Sequence, residues 1–201
     1  MSAGTSRRRA VPRRLSMVPA APQDPALASL FDEVRSRGIE VPNLYRMLGH
    51  APDMLRAWLD FAWPLRLRAR TPRALRELLI LRSAQLAEAE YEWVHHVPMA
   101  LTAGVAQAQI DELADWPESS RFSDVECRVL RLADEMFEGP ASAECIASLR
   151  EHLDEARVVE LVLTASFYVC VARFLLSTGV ELETRDHEDR QIDPRTAPDE
   201  P

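Results

Sequence analysis

The segment from Glu77 to Gly104 holds the residue types best suited to chemistry. On a helix, Glu92 and His96 (i, i+4), Glu92 and His95 (i, i+3) and Tyr91 and His95 (i, i+4) each share a face. Two histidines and a carboxylate so close together stand out in a chain with 5 His in all. A His held by a carboxylate has its tautomer fixed and its pKa tuned, which suits proton transfer near neutrality. A metal reading is open too, because Glu92-x-x-His95 has the Glu-x-x-His spacing of di-iron bundles. Those bundles need a second such motif and two more Glu, and no second motif falls on a convincing helix. Redox chemistry lacks its Cys pair here. The competing non-functional reading is a His cluster in the core or on the surface beside a solvated Glu. Pro98 removes an N–H from this helix, leaves the Val94 carbonyl without a partner, and predicts a kink just after His96.

The elements that position these residues read as helices throughout. The pattern predicts helices over Leu27–Arg37, Asn43–Leu48, Pro52–Leu65, Arg73–Ala87, Glu90–Ala103 and Gln107–Ala114. Thr71 reads as the N-cap of the fourth, with Pro72 at its first position. Gly104 closes the fifth. Ser123 to Glu126 forms a capping box for a helix ending near Glu138, stopped by Gly139-Pro140. Ser142 caps a helix to about His152, and Asp154 caps the last, Glu155 to Thr178, with Gly179 after it. Strand signals are weak. The stretch Val158–Leu176 is rich in apolar residues, but Glu160 and Arg173 interrupt it. Its unbroken part is too short for a bilayer, so it is expected in a bundle core or a subunit interface, with no membrane partner.

Composition narrows the chemistry. The 201-residue chain suits one domain, 47% hydrophobic and 28% charged. All 24 basic residues are Arg, so mechanisms that need a Lys Schiff base or a P-loop Lys are excluded. A net charge of −8 argues against a nucleic-acid partner. Residues 1–25 carry five Arg and one Asp and read as a disordered basic, Pro-containing tail. Residues 184–201 carry three Arg and six acids and read as a mobile acidic tail, leaving −9 on the domain at 26–183. Cys127, Cys145 and Cys170 are far apart, which suggests reduced, buried thiols in a cytoplasmic protein. The all-Arg, Ala- and Pro-rich composition is a weak pointer to a bacterial, GC-rich source.

The segment resembles the signature of the carboxymuconolactone decarboxylase / alkylhydroperoxidase D-like superfamily, a Glu followed by Cys-x-x-Cys-x-x-x-His in a helix–kink–helix. Glu77 matches the family Glu and His96 the family His, while Ala89 and Glu92 fall where the two Cys would be. Glu92-Trp93-Val94-His95-His96 is close to the Glu-Trp-x-x-His pattern of the decarboxylase branch, which lacks the Cys pair. Asn43 to Pro52, Ala133-Asp134-Glu135 before a Gly-Pro stop, and Tyr168 to Glu183 are similar to the family's flanks, so the resemblance spans roughly 40–183.

The resemblance implies an all-α, single-domain helical bundle of the alkylhydroperoxidase D-like type, assembled as a homo-oligomer, a trimer or hexamer. It implies cofactor-free lyase or isomerase chemistry on a small lactone or keto acid, with neither metal nor cofactor. His96 is the first candidate for proton donor, with Glu77 and Glu92 orienting it or relaying its proton. His95 is a second acid or a packing residue. Tyr91 and Trp93 could wall the pocket, Arg82 could hold a substrate carboxylate bidentately or form an interface ion pair, and His50 could line the site from another helix. An anionic substrate would meet a −9 domain unless local Arg focus the field. The alternatives are a peroxidase-like or metal-dependent oxidoreductase on the same scaffold, or a non-catalytic assembly or ligand-binding subunit.

Overall fold

The computed structural model describes residues 14–183; the readings for the Arg-rich start and for the acidic end with His187 lie outside the described residues. The described chain is all-helical: α1 (Pro25–Ser36), α2 (Asn43–Leu48), α3 (Pro52–Leu67), α4 (Arg73–Leu86), α5 (Glu90–Thr102), α6 (Gln107–Asp111), α7 (Asp124–Glu138), α8 (Ala143–Arg150) and α9 (Glu155–Thr178), with a 3₁₀ turn at Leu113–Asp115.

Three of the caps form as the sequence predicts. Ser123 and Glu126 close a capping box on α7, and the side chains of Ser142 and Asp154 accept from the backbones of Cys145 and Arg157. Gly179 ends α9 at φ 68°, a left-handed turn that a Cβ would disfavour.

The fourth cap differs. Thr71 does not cap α4; its hydroxyl donates to Glu160 Oε2 at 2.6 Å, across the bundle on α9. Glu160 also accepts from the backbone N–H groups of Thr71 (2.8 Å) and Arg70 (2.9 Å). A carboxylate reaching three donors outcompetes a local hydroxyl cap. The residue that interrupts the apolar run of α9 therefore fixes where α4 begins.

α4 is the central helix, packed by α5, α7 and α9. It is buried nearly all round: Leu75, Leu78, Leu79, Ile80, Leu81 and Ala84 share its length with buried Arg76 and Glu77. Arg76 is satisfied by carbonyls, donating to Leu65 (2.7 Å) and Arg66 (3.1 Å) at the end of α3 and to Thr71 (3.2 Å). It thus closes a helix C-terminus with a cation. α4 and α5 meet at a tight turn in which Glu88 takes φ 54°, unusual for a side-chain-bearing residue. α1 packs Leu27, Leu30, Phe31 and Val34 onto Tyr45, Leu55, Leu59 and Trp63 as a satellite core.

Three further expectations are corrected. Residues 14–24, assigned to a disordered tail, lie on the body: Arg14 N–H reaches the Thr178 carbonyl (3.1 Å), Val18 N–H reaches that of Arg46 (3.3 Å), and the Val18 side chain packs into the satellite core. Cys170 is exposed; Cys145 is buried and Cys127 half-buried, all three free. Helix α9 is long and apolar enough to cross a membrane by length and composition, yet half of that stretch is buried inside the body. Leu161, Ala165, Tyr168 and Leu175 face the core.

Glu160→Ala removes three hydrogen bonds from the entry to α4 and is expected to destabilise the protein by about 2–3 kcal/mol, measured by urea unfolding. Glu160→Gln, which keeps an acceptor, should lose less.

Candidate active site

Helices α4, α5 and α9 converge around Glu77. Its carboxylate is 2% exposed. Oε1 accepts from Arg73 Nε at 2.7 Å, one helical turn earlier on α4. Oε2 lies 2.7 Å from His96 Nδ1 on α5. Burial pushes the Glu77 pKa up, but the His96 ring and the Arg73 guanidinium outweigh it and bring the carboxyl down to about 2. A carboxylate of that kind can only accept, so His96 Nδ1 is the donor and Nε2 is left carrying the lone pair. Burial also lowers the His96 pKa, so the ring is a neutral imidazole near pH 7. Tyr168 of α9 sets its edge against this ring, centroids 5.0 Å apart at 89°.

Glu92 lies one turn before His96 on the same face of α5, also 2% exposed. Neither of its carboxyl oxygens has a hydrogen-bond partner. Burial alone raises its pKa well above the carboxylate range, so it is a neutral acid near pH 7. The cluster therefore holds an ionised Glu, a protonated Glu and a neutral His.

His95 faces elsewhere. Nδ1 is 2.7 Å from the Tyr91 carbonyl and Nε2 is 2.9 Å from Glu183 Oε2. Both partners are acceptors, so both nitrogens carry protons and the ring is an imidazolium. Burial opposes this, but Glu183 outweighs it and raises the pKa. Glu183 also accepts from the Tyr91 hydroxyl (2.7 Å) and Asn43 N–H (2.8 Å) through Oε1. Burial would raise its pKa, but His95, Asn43 and Tyr91 together bring it down to about 2. The Tyr91 ring stacks on His95 at 4.2 Å. His95 and Tyr91 are thus a clamp between α5, the start of α2 and the segment after α9.

The remaining expected residues fall outside the cluster. Arg82 holds Asp134 with Nε and Nη2 (2.6 and 3.2 Å), and its Nη1 reaches Gln85 (2.6 Å). Its fork is used inside the fold, between α4 and α7, with Trp116 Nε1 on the same carboxylate at 3.0 Å. Trp93 packs into the core with Leu78, Leu81, Leu113 and Leu130. His50 Nε2 is 2.6 Å from the Ser16 carbonyl. It borders an apolar cleft of about 370 Å³ lined by Leu15, Met47, Leu48, Met54 and Phe174, which none of Glu77, Glu92 and His96 lines. Among the described residues no three His, Cys, Asp or Glu converge as a metal-binding group, and His95 is engaged by Glu183 and the Tyr91 carbonyl rather than by Glu92.

Sequence reasoning missed Arg73, Tyr168, Glu183 and Arg66. Arg73 had a readable signal, four residues before Glu77. The other three come from distant elements and left none.

Residues 52–135 match the Carboxymuconolactone decarboxylase family. The fold is similar to that of an uncharacterized peroxidase-related protein from Ralstonia eutropha JMP134 with an alkylhydroperoxidase AhpD core (TM-score 0.72, 16% identity, covering 85% of this chain and 92% of that one). It is similar to an uncharacterized peroxidase-related protein from Silicibacter sp. TM1040 (TM-score 0.72, 15% identity, 88% and 94%). It is also similar to the debrominase Bmp8 in complex with 2,3,4-tribromopyrrole (TM-score 0.68, 17% identity, 90% and 98%). At these identities the likeness is one of fold. No curated protein matches the sequence. The family match covers residues 52–135, and the fold shared with these structures extends over most of the described chain.

The His95–Glu183 clamp has a defined pH window. Glu183, held below its ordinary 4.5, contributes stability that is present above that value and fades as pH falls toward about 2. His95, raised above its ordinary 6.5, contributes stability that is present below that value and fades as pH rises through the folded pKa. Glu183→Gln should therefore cost most, about 1–2 kcal/mol, between those two values and progressively less on either side. Urea melts of both proteins across pH measure this.

Proposed function

We propose that the protein is a cofactor-free lyase or isomerase that moves a proton on a small lactone or keto acid, decarboxylation being the favoured reaction. The carrying observation is Glu92, a buried acid with both oxygens unpartnered, one turn from a neutral His on the same helix face. An acid and a base are thereby kept side by side at neutral pH, which is how general acid–base sites assign their roles.

Glu77 orients His96 and leaves Nε2 as the base, and Arg73 holds Glu77. The proton donor is then Glu92 rather than His96. In a decarboxylation, the electrons of the breaking bond to CO₂ flow into the substrate's own carbonyl, since no Lys is available as a sink. Glu92 then delivers its proton to the carbon, and His96 returns one to Glu92 from solvent. In an isomerisation, His96 Nε2 takes a proton beside the carbonyl and Glu92 gives one at the far end of the enol.

Ala89 and Glu92 stand where a thiol pair would, and Cys127, Cys145 and Cys170 lie on α7, α8 and α9, which disfavours thiol peroxidase chemistry.

Chelator-treated protein incubated with 4-carboxymuconolactone and a panel of β-keto acids tests the reading. CO₂ release or double-bond movement should survive chelation and fall at least about 100-fold in Glu92→Gln and in His96→Ala. Glu92→Gln should also be more stable than the parent. A raised carboxyl pKa costs folding free energy above the ordinary carboxylate value, so the gain should be larger at about pH 8 than at about pH 5. Silence from folded protein across the panel, or turnover indifferent to both variants, would sink the reading.

The protein is also proposed to work as an assembly of identical subunits. Val159, Leu163 and Phe167 form one stripe of α9, and Phe61 of α3 sets its ring 5.2 Å from Phe167. An apolar face of this kind marks a contact surface. Light scattering should give a multiple of 22.7 kDa, and Leu163→Asp should lower it.

A further inference from the structure

The two arginines at the open side of the cluster have a use that the acid–base roles leave unassigned. Arg66 sits in the last turn of α3 and Arg73 is the first residue of α4, so the short connection between these helices brings them together. Arg66 Nη2 and Arg73 Nη2 each lie 3.6 Å from the same atom, Met99 Sδ, three residues beyond His96 on α5. A thioether is a poor acceptor for two guanidinium N–H groups. Arg73 has its Nε engaged by Glu77, while its Nη2 meets only the weak acceptor Met99 Sδ. Among the described residues Arg66 makes no ion pair; Tyr45 hydrogen-bonds it, and Tyr168 and Glu77 also favour its charge.

Charge and access agree with this geometry. With Glu77 ionised, Glu92 protonated and His96 neutral, Arg66 and Arg73 leave the cluster one positive charge in surplus. Glu77, Glu92, His96 and Tyr168 are each less than a tenth exposed, whereas the Arg73 side chain is 31% exposed and Arg66 is half-buried. The arginines are therefore the solvent side of the site.

We propose that Arg66 and Arg73 form a carboxylate subsite, displacing Met99 from their N–H groups when it fills, and that the carboxylate held there stays on the product. This rests on the acid–base reading above for what happens next to it. An Arg pair on a departing carboxylate would stabilise the charged ground state more than a transition state in which that charge is leaving, and would slow the reaction. The anion at this subsite is consequently an anchor. A substrate for decarboxylation then carries two carboxylates, one anchored and one lost beside Glu92; a substrate for isomerisation needs only the anchor. Arg82, bound to Asp134, is not available for this part.

Succinate and its uncharged diamide are suitable probes, with binding followed by calorimetry and by the His96 ring resonances in histidine-labelled protein at neutral pH. Succinate should bind the parent and shift His96, and the diamide should not. Arg66→Gln and Arg73→Gln should each weaken succinate at least about tenfold, as loss of a charge-assisted pair does. Arg66→Lys, which keeps the charge and the packing stem but not the fork, should fall between. Succinate that leaves His96 unmoved, or binds all variants equally, overturns the subsite. Arg-dependent succinate binding with turnover insensitive to Glu92→Gln would keep the subsite and discard the acid–base reading. Glu92-dependent turnover of an uncharged lactone without succinate binding would do the reverse.

Discussion

The structure turns on one buried carboxylate. Glu77 lies in the middle of a helix enclosed on nearly every side, where an ionised group is tolerated only if both its oxygens are engaged. Arg73 can reach it only because α4 starts where it does, and His96 only because α5 turns back directly onto α4. The first condition is met from α9, by Glu160 gripping the Arg70–Thr71 backbone, and from α4 itself, by Arg76 closing the end of α3. The second is met by a turn short enough to push Glu88 into a left-handed conformation. The geometry of two helix junctions, α3–α4 and α4–α5, is thus tied to the satisfaction of one charge.

The same few residues show how partners, rather than residue type, set charge. Glu77 and Glu92 are equally buried, yet one is ionised and the other protonated, because Arg73 and His96 engage the first and no hydrogen-bond partner meets the second. His95 and His96 are neighbours in sequence with opposite states. His95 meets acceptors on both nitrogens and is charged, whereas His96 meets one and is buried neutral. A protein can therefore keep an acid, a base and a fixed cation within two turns of one helix.

How much of this was legible in the sequence follows from how far apart the partners lie. The helices and three of the caps depend on residues three or four apart, and Ser123, Ser142, Asp154 and Gly179 mark them directly. The grouping of Glu92 with His96 is legible for the same reason, and Glu77 entered through the family resemblance. Two of the departures concern side chains claimed by a distant partner. Thr71 was read as a cap, but Glu160, 89 residues away, takes its hydroxyl. For Arg82 the sequence leaves a substrate carboxylate and an ion pair both open, and Asp134, 52 residues away, occupies its fork. Glu183 and Tyr168 carry no local pattern that would join them to the site, and the packing of residues 14–18 on α2 and α9 is equally invisible to periodicity.

In the resemblance to the superfamily's thiol signature, Ala89 and Glu92 fall at the two Cys, and Glu77 and His96 at the Glu and the His. A His held by a carboxylate is a device for handling a proton, and it is indifferent to whether that proton belongs to sulfur or oxygen. A thiol at this place, once deprotonated, is a nucleophile; a carboxylic acid kept protonated by burial is a donor. On the proposed reading, Ala89 and Glu92 in place of the thiol pair change the chemistry offered to a substrate from electron-pair attack to proton delivery. The arginine mouth then selects anions that meet this acid, in a domain whose net charge would otherwise repel them.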